Sequence, residues 1–364
     1  IVGDNSKSFY GNPIKEKIIV STKDYKGIID YQPSELTVVV KSGTKITDLE
    51  KHLEKNNQFF NFEPPRFCKE LKTQKKILKS GTIGGMVATG LSGPGRFYYG
   101  GCRDSVLGVT LLNYKGQLLR FGGTVIKNVA GYDISRLQVG AFGNLGLLLD
   151  VCLRVYPKPK NEITFFLPVN YEKLIFVLTN FYKNKFPFSA SYWSNFGENN
   201  YFRKDHLYLR ISGSHYGVRN AEKIISREVN QFEVLDNYSS INLWEKIRDQ
   251  TINFFSEDLK SDEIIWRVSI PPGIKFNVFE KNTQIIEWGG ALRWIKSNHD
   301  PYWVRMVVTK AGGHATIYKA SDNTKLKYGC FTPLPSVLKD LHCKLKKEID
   351  PNHIFNPGRL YDYL

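Results

Sequence analysis

The sequence predicts an α+β protein built from two parts of different composition. Up to about Pro159, glycines alternate with short β-branched runs, whereas the later residues contain fewer glycines and mix amphipathic helices with strands. The stretch Pro157-Lys158-Pro159 separates the two parts. With 364 residues, of which 41% are hydrophobic, the chain is long enough to bury two cores.

The first part opens with strand–turn–helix patterns. A β-branched strand precedes Ser42-Gly43, and Thr47 with Glu50 three residues later predicts a capped helix through about Asn56. Gly116 supplies the positive φ of a hairpin turn. The predicted strands are Leu36–Val40, Val106–Leu112, Gln117–Phe121 and Leu145–Tyr156.

The second part mixes helical and strand periodicity, which indicates an α+β domain. The predicted helices are Tyr171–Tyr182, Arg219–Asn230, Leu243–Phe255 and, near the end of the chain, Leu334–Ile349. The predicted strands are Ala190–Trp193, Leu207–Ile211 and Ile264–Ile270.

Composition narrows the function classes. Lys and Arg outnumber Asp and Glu by 51 to 35, a net charge of +16 that favours an acidic partner, anionic lipid or nucleic acid. No zinc finger, aromatic RNA-binding signature or basic zipper accompanies this charge, so we predict no nucleic-acid function. The densest basic run, Lys69 to Lys79, is either a solvated surface loop or a docking patch.

The cysteine spacing and the hydropathy further restrict the classes of protein to which the chain can belong. The five cysteines show no Cys-x-x-Cys spacing, so we expect reduced thiols and no metal or iron–sulfur cluster. No apolar run approaches the roughly 18 to 20 residues of a membrane span, and the first residues do not form a secretory signal. We expect a cytoplasmic protein. Because the sequence opens without Met and within a strand, we also expect an element before Ile1.

The most informative stretch is the glycine-rich segment Gly81 to Gly90, continuing to Gly95. Clustered glycines let backbone N–H groups approach a phosphate, and a following helix N-terminus adds a favourable dipole. The spacing matches neither the Rossmann nor the P-loop pattern. Phosphate binding and tight packing turns therefore both remain open. Further polar, glycine-bearing loops at Gly3–Ser8, Lys127–Asp133 and Gly140–Gly146 favour one large ligand over independent turns.

Several motifs resemble the FAD-binding E subunits of bacterial glycolate oxidases. These are Gly81–Gly93, Cys102–Gly108, Phe121–Gly123 with Lys127–Asp133, Trp288–Trp294, Ala311–Thr316 and Phe355–Leu360. The resemblance runs almost end to end. The first-domain motifs are shared across the vanillyl-alcohol-oxidase and p-cresol-methylhydroxylase (PCMH) superfamily, whereas Trp-Gly-Gly-Ala-Leu-Arg-Trp and Ala-Gly-Gly-His-Ala-Thr are more particular to the E subunits.

The resemblance implies a two-part PCMH-type FAD-binding domain over 1–159, an α+β cap domain over 160–345, and a tail over 346–364 that returns to the FAD domain. It also implies non-covalent FAD, because no histidine falls among the loop motifs. The implied cofactor residues are Gly3, Asp4, Asn5, Ser6, Lys7, Gly81, Thr82, Ile83, Gly84, Gly85, Asp104, Gly131, Tyr132, Gly143, Asn356 and Arg359.

Two residues are candidates for catalysis. Oxidation of a 2-hydroxy acid needs a cation for the carboxylate and a base for the hydroxyl proton. Arg293 offers a planar fork for a carboxylate, and His314 has the pKa range of a base. Alternatively, Arg293 pairs with a surface carboxylate and His314 makes a structural hydrogen bond. Arg359 either contacts the flavin or braces the domains.

The resemblance implies an FAD-dependent oxidoreductase subunit that converts glycolate to glyoxylate and passes electrons to a non-oxygen acceptor. Its implied partners are a D-type flavin subunit and an F-type iron–sulfur subunit, with peripheral attachment to the inner membrane face as an open alternative. A non-catalytic assembly subunit and a self-contained D-lactate-type dehydrogenase also remain open. The chain departs from the family in a basic insertion at about 68–79. It also lacks the His-x-Gly-Asp-Gly-Asn segment of D subunits, which favours chemistry in a complex.

Overall fold

The computed structural model describes residues 1–14, 18–71, 76–123, 132–184, 186–199, 201–229 and 231–364, with the backbone alone at 69–71, 76–79 and 228. The described strands, in chain order, are β1 (Ile28–Gln32), β2 (Thr37–Lys41), β3 (Gln58–Phe59), β4 (Lys69–Leu71), β5 (Lys76–Lys79), β6 (Val106–Leu112), β7 (Leu118–Gly122), β8 (Leu147–Arg154), β9 (Tyr156–Pro157), β10 (Asn161–Pro168), β11 (Phe188–Ser194), β12 (His206–Gly213), β13 (Glu233–Val234), β14 (Ile264–Ser269), β15 (Gln284–Glu287), β16 (Leu292–Ser297) and β17 (His314–Lys319). The described helices are α1 (Ile46–Glu54), α2 (Ile83–Thr89), α3 (Arg96–Tyr99), α4 (Cys102–Ser105), α5 (Ile134–Leu137), α6 (Tyr171–Lys183), α7 (His215–Glu228), α8 (Asn237–Asp249), α9 (Asn253–Ser256), α10 (Pro301–Lys310), α11 (Asp322–Tyr328) and α12 (Ser336–Ile349).

The chain folds into two compact units. Unit 1 comprises 1–93, 100–158 and 325–364, and unit 2 comprises 94–99 and 159–324. The return to unit 1 therefore begins at Lys325, earlier than the expected residue 346. The reason is local: the buried Lys325 ammonium donates to Phe9 O, and Cys330 N donates to Asn12 Oδ1 at 2.7 Å. Both contacts attach the returning chain to the N-terminal loop.

In unit 1, five of the described strands form an antiparallel sheet in the order β1-β2-β8-β6-β7, while β3 pairs with β9 and β4 with β5. Helices α1 and α2 contribute Leu49 and Ile83 to the core, which also contains Val40 and Val151 from the sheet. This core is fully apolar, as the β-branched strand pattern predicts. The predicted hairpin is confirmed: β6 pairs with β7, and Gly116 has φ +73°.

Several helix boundaries differ from the sequence prediction, and α7, predicted to begin at Arg219, begins at His215 after its Ser214 cap. Helix α1 begins at Ile46 after an extended Lys45, whose side chain makes no cap, so the predicted cap at Thr47 is wrong. The predicted helix 243–255 is interrupted. Gln250 adopts φ 55°, ends α8, and is followed by the separate short helix α9. No glycine or proline occupies the position before α1 or the position that ends α8, so the sequence does not mark these two boundaries.

The basic insertion forms a hairpin where its backbone is described. Strands β4 and β5 pair antiparallel, with Glu70 opposite Ile77 and Leu71 opposite Lys76. The predicted surface loop therefore contains a two-stranded ribbon, and residues 72–75 lie outside the described residues.

In unit 2, the described strands form one antiparallel sheet of eight strands, in the order β13-β10-β12-β11-β15-β16-β14-β17. We call it the large sheet. Helix α6 packs Leu174 and Leu178 into a core that also holds Trp193 and Leu209 of the sheet. Asn170 accepts a hydrogen bond from Lys173 N at 3.1 Å and so caps α6.

Within the described helices, none is both long enough and apolar enough to span a bilayer.

Candidate functional site

The N-terminal loop of unit 1 lies against the glycine-rich segment. Val2 bridges to the chain beside Ser21, with Val2 N donating to Val20 O and Thr22 N donating to Val2 O, each at 2.9 Å. The next residues turn toward α2, where Asp4 Oδ2 accepts a hydrogen bond from Ser80 N at 3.0 Å. The two loops that the sequence separates by more than seventy residues therefore form one surface.

Gly3 and Thr82 make the closest approach on this surface. Thr82 Oγ1 accepts a hydrogen bond from Gly85 N at 3.2 Å and caps α2. A Cβ built on Gly3 would lie 2.2 Å from that oxygen, a distance that no real Cβ tolerates. Position 3 therefore has to be glycine for the loop to reach the capped end of α2.

Lys7 projects into the space between the two loops. A Cβ on Gly81 would lie 3.1 Å from Lys7 Nζ, and one on Gly85 would lie 3.7 Å from it, so the glycines keep this space open. The ammonium donates weakly to Ser6 Oγ at 3.4 Å and lies 5.4 Å from the centre of the Phe67 ring. Loss of hydration lowers the pKa of Lys7 to about 8.

This surface, which we call the Lys7 cradle (Gly3–Lys7 with Ser80–Gly85), fits a diphosphate. Among the described side chains, no carboxylate forms an ion pair with Lys7. A poorly hydrated cation is stabilised by an anion. The N–H groups of Gly81, Gly84 and Gly85 already donate to Arg66 O, Ser42 O and Thr82 Oγ1, so Lys7 is the group of the cradle that an anion would meet.

The other predicted cofactor residues of the glycine-rich segment face inward. Ile83 is fully buried in the core, and its N–H donates to Thr44 O at 2.9 Å. Gly84 packs on the turn after β2, where a Cβ would lie 2.8 Å from Ser42 Cβ. In the N-terminal loop, by contrast, Asn5 is exposed, with φ 52°. Ile83 and Gly84 position the cradle rather than line it.

Asp104 and Tyr132 lie outside the Lys7 cradle as defined above. Asp104 Oδ2 accepts from Gly101 N at 2.7 Å and caps α4, so its contacts are structural. The Tyr132 side chain is 94% exposed and makes no core contact that would orient it toward a ligand. Gly131 lies outside the described residues.

The C-terminal tail returns to unit 1 through Asn356 and Arg359. Asn356 Nδ2 donates to Phe142 O at 2.7 Å, and a Cβ on Gly143 would lie 2.8 Å from the same nitrogen. The Arg359 guanidinium donates to the carbonyl oxygens of Asn12, Ser8 and Tyr10. Arg359 thus braces the loop that follows Lys7 within unit 1.

Arg293 occupies a different environment from the one expected of a substrate ligand. Its side chain is fully buried, and its Nη1 donates to Tyr171 Oη at 3.0 Å and to Phe276 O at 2.9 Å. Its Nη2 donates to Ile274 O at 3.2 Å. The guanidinium therefore holds the 274–276 loop on α6. Neither predicted alternative, a substrate carboxylate or a surface carboxylate, matches these partners.

His314 projects from the opposite face of the large sheet. Val268 of β14 pairs with Arg293, whereas the next residue, Ser269, pairs with His314. Successive residues of a strand point to opposite faces, so the two predicted catalytic residues are not brought together. The His314 side chain is exposed at the start of β17.

The pKa of His314 lies below its ordinary value. Loss of hydration is the largest cause, followed by the positive charges of Arg267 and Arg96. Sequence reasoning missed both arginines. The available signal was Arg267 itself, a charged residue within the apolar strand Ile-Ile-Trp-Arg-Val-Ser, because a cation in such a strand needs a reason to be there.

Comparison with known proteins supports the fold and the cofactor. A family model described as FAD binding domain matches residues 1–122. The chain is 34% identical over 362 residues to the glycolate oxidase subunit GlcE of Escherichia coli (strain K12), covering 99% of the chain and 92% of that protein. It is 29% identical over 152 residues to the glycolate oxidase subunit GlcD of Bacillus subtilis (strain 168), covering 42% of the chain and 30% of that protein.

Among solved structures, p-cresol methylhydroxylase with substrate bound has a TM-score of 0.68 at 13% identity, covering 100% of the chain and 84% of that chain. The FAD-binding domain and the hydroxy-acid oxidoreductase relatives define an FAD-linked oxidoreductase, whose fold is of the PCMH type. Within that class, the chain belongs to the family of glycolate oxidase subunit GlcE. It is accordingly an FAD-dependent hydroxy-acid oxidoreductase subunit.

Proposed function

We propose that this chain is the FAD-binding E subunit of a complex that oxidises glycolate to glyoxylate. A D-type flavin subunit and an F-type iron–sulfur subunit complete the complex, which delivers electrons to a non-oxygen acceptor. The observation that carries the proposal is the 34% identity to a glycolate oxidase subunit over 99% of the chain. The PCMH-type fold and the Lys7 cradle agree with it.

FAD, when bound, supplies the acceptor of the hydride from the substrate. The chain's own residues hold it. Lys7 balances the diphosphate charge, Asp4 orients the backbone at Ser80, and Thr82 fixes the start of α2. The loops of the cradle contain no histidine, which supports non-covalent binding.

The surface of α12 supports a role as a subunit. Val337, Leu338 and Leu341 are 69%, 47% and 54% exposed, although they share one side of the helix with Leu345. The opposite side buries Lys346. Leu338, Leu341 and Leu345 follow the spacing by which one helix packs in the groove of another protein. We assign this stripe to the contact with the D-type subunit, because a second copy of a chain with a net charge of +16 would be repelled.

The test is the visible absorption spectrum of the purified chain, alone and co-purified with the D-type and F-type subunits, before and after anaerobic glycolate. We expect a flavin spectrum in both samples and bleaching in the complex. Absence of flavin in the chain and in the complex would refute the cofactor assignment.

The same spectra separate the alternatives. Bleaching of the isolated chain by D-lactate in preference to glycolate would indicate a self-contained D-lactate-type dehydrogenase. A complex whose rate of glycolate oxidation is unchanged when the chain lacks its flavin would indicate an assembly subunit.

A further inference from the structure

Two arginines of unit 2 lie over the ring of Trp288. The guanidinium carbon of Arg96, in α3, is 4.7 Å from the ring centre, and that of Arg267, in β14, is 5.3 Å from it. Trp288 is only 3% exposed, so its ring cannot move away. Arg267 also lies 5.9 Å from the Trp294 ring. Aromatic faces hold guanidinium groups in place without neutralising them.

His314 stands beside this pair. Arg267 is opposite Thr316 in the sheet, and His314 is two residues before Thr316, so Arg267 and His314 project from the same face. Loss of hydration, followed by the charges of Arg267 and Arg96, lowers the pKa of the His314 imidazole below its ordinary value and favours its neutral form. Two cations and one neutral acceptor therefore lie close together, with Arg267 and His314 on one face of the sheet.

The charge of Arg267 is not balanced within the described chain. No carboxylate among the described residues forms an ion pair with it. Glu287 projects from the same face, but its Oε1 accepts from Trp294 Nε1 at 2.7 Å and is 5% exposed. A half-buried arginine without a carboxylate partner costs free energy unless an anion joins it.

The backbone at Trp288 is itself unusual. Trp288 has φ 54°, and the next two residues, Gly289 and Gly290, have φ +63° and +97°. A bulky residue in this region is strained, and such strain tends to be retained where it places a functional group. Ser191 Oγ accepts from Gly289 N at 2.8 Å and holds the turn. The strained turn thus costs stability, and it places the Trp288 ring under Arg96 and Arg267.

We propose that Arg96, Arg267 and His314 form the binding site for a small 2-hydroxycarboxylate, with the guanidinium groups on the carboxylate and the imidazole accepting a hydrogen bond from the hydroxyl. The proposal rests on the proposed function and replaces Arg293 as the carboxylate ligand. The planar forks of arginine match a carboxylate in two-point contact. A carboxylate with an adjacent hydroxyl uses all three groups, whereas acetate has no hydroxyl to donate to the neutral imidazole.

The experiment is a ligand-observed NMR titration of the purified full chain with glycolate, acetate and inorganic phosphate. The variants are Arg267→Gln, Arg96→Gln and His314→Gln. The matched control is Arg203→Gln, because Arg203 also stacks on an aromatic ring, at 4.8 Å from Phe166, but pairs with Glu233. Thermal unfolding of each variant verifies that it is folded.

We expect the dissociation constant for glycolate to rise about tenfold or more in Arg267→Gln and in Arg96→Gln, and to be unchanged in Arg203→Gln. We expect His314→Gln to remove the preference for glycolate over acetate while acetate binding stays the same. Unchanged glycolate binding in both arginine variants would overturn the proposal. So would tighter binding of phosphate than of glycolate.

Failure of this site is distinguishable from failure of the proposed function. If glycolate bleaches the flavin of the complex but the arginine variants bind it normally, the function stands and the site is elsewhere. If the variants lose glycolate binding but no subunit combination oxidises glycolate, the site stands and the reaction assignment fails.

Discussion

Lys346 and Asp350 form a buried ion pair that closes the C-terminal return of unit 1. Lys346 Nζ lies 2.7 Å from Asp350 Oδ2, and the two side chains are 2% and 0% exposed. The ammonium also donates to Asn144 O at 2.8 Å and Phe355 O at 3.0 Å. Each charge is therefore satisfied by several partners, which is the condition under which a buried pair is tolerated.

Removing one member of this pair is expected to destabilise the chain. Asp350→Asn leaves a buried, unpaired ammonium and lowers the free energy of unfolding by about 3–5 kcal/mol in urea denaturation. Lys158→Met is the control, because its pair with Glu54 is exposed and contributes less than about 1 kcal/mol. If Asp350→Asn and Lys158→Met lost the same free energy of unfolding, burial would not explain the contribution of the Lys346–Asp350 pair.

Because of the same pair, we expect the free energy of unfolding to fall at acidic pH. Burial alone would raise the pKa of Asp350, but hydrogen bonds from Lys346, Phe355 and Ile354 outweigh it and hold the pKa below its ordinary value. A lowered carboxyl pKa contributes stability above the unfolded value of about 3.9 and loses it as the pH falls further. The unfolding midpoint of Asp350→Asn should therefore depend less on pH below about 4 than that of the parent chain.

FAD affinity is expected to weaken as the pH rises through about 8. The pKa of Lys7 is lowered to about 8 by loss of hydration, so its charge disappears above that pH in the free chain. We expect the dissociation constant of FAD, measured by flavin fluorescence, to increase between pH 7 and pH 9.5. Lys7→Met should bind more weakly and with little pH dependence, whereas the exposed-residue control Lys115→Met should follow the parent. If the dissociation constant of FAD changed with pH in the same way for the parent chain and Lys7→Met, Lys7 would have no role in the pH dependence of FAD binding.

Gly3→Ala is expected to damage the Lys7 cradle. The added Cβ would fall 2.2 Å from Thr82 Oγ1 and push it away from Gly85 N, at the usual cost of a lost helix cap, about 1 kcal/mol. We expect reduced FAD per chain after purification. Gly213→Ala is the control, because nothing lies within 4 Å of its added Cβ. Full FAD content in Gly3→Ala would contradict the close approach of the two loops.

The exposed stripe of α12 is expected to govern assembly. Leu341→Lys changes a side chain that is 54% exposed, so folding of the chain should be preserved. Co-purification of the D-type subunit should fall about tenfold or more, because a charge in an apolar contact is costly. Val278→Lys, which alters a 45% exposed side chain elsewhere, is the control. Equal recovery of the D-type subunit with both variants would remove α12 from the interface.

Much of the fold follows from local sequence pattern. The β6–β7 hairpin was predictable because Gly116 can take the positive φ of the turn, and α6 was predictable from its apolar period and its Asn170 cap. The start of α1 and the break after Gln250 were not, because tertiary contacts there override weak end signals.

The glycine-rich loops suggested phosphate binding as one of two open interpretations. What the pattern could not supply was that Gly3 meets Thr82, or that Lys7 lies between Gly81 and Gly85. These contacts join distant segments and depend on how the first strand returns beside Ser21.

The composition, the glycine loops and the alternation of apolar residues in the strands predicted the two-part α+β architecture, and the motifs shared with glycolate oxidase E subunits implied the cofactor. Only the tertiary structure decided which arginine accompanies His314. In an antiparallel sheet, a shift of one residue turns a side chain to the other face. The pairing of β14 with β16 and β17 places Arg293 on the face packed by α6, and it places Arg267 on the face of His314.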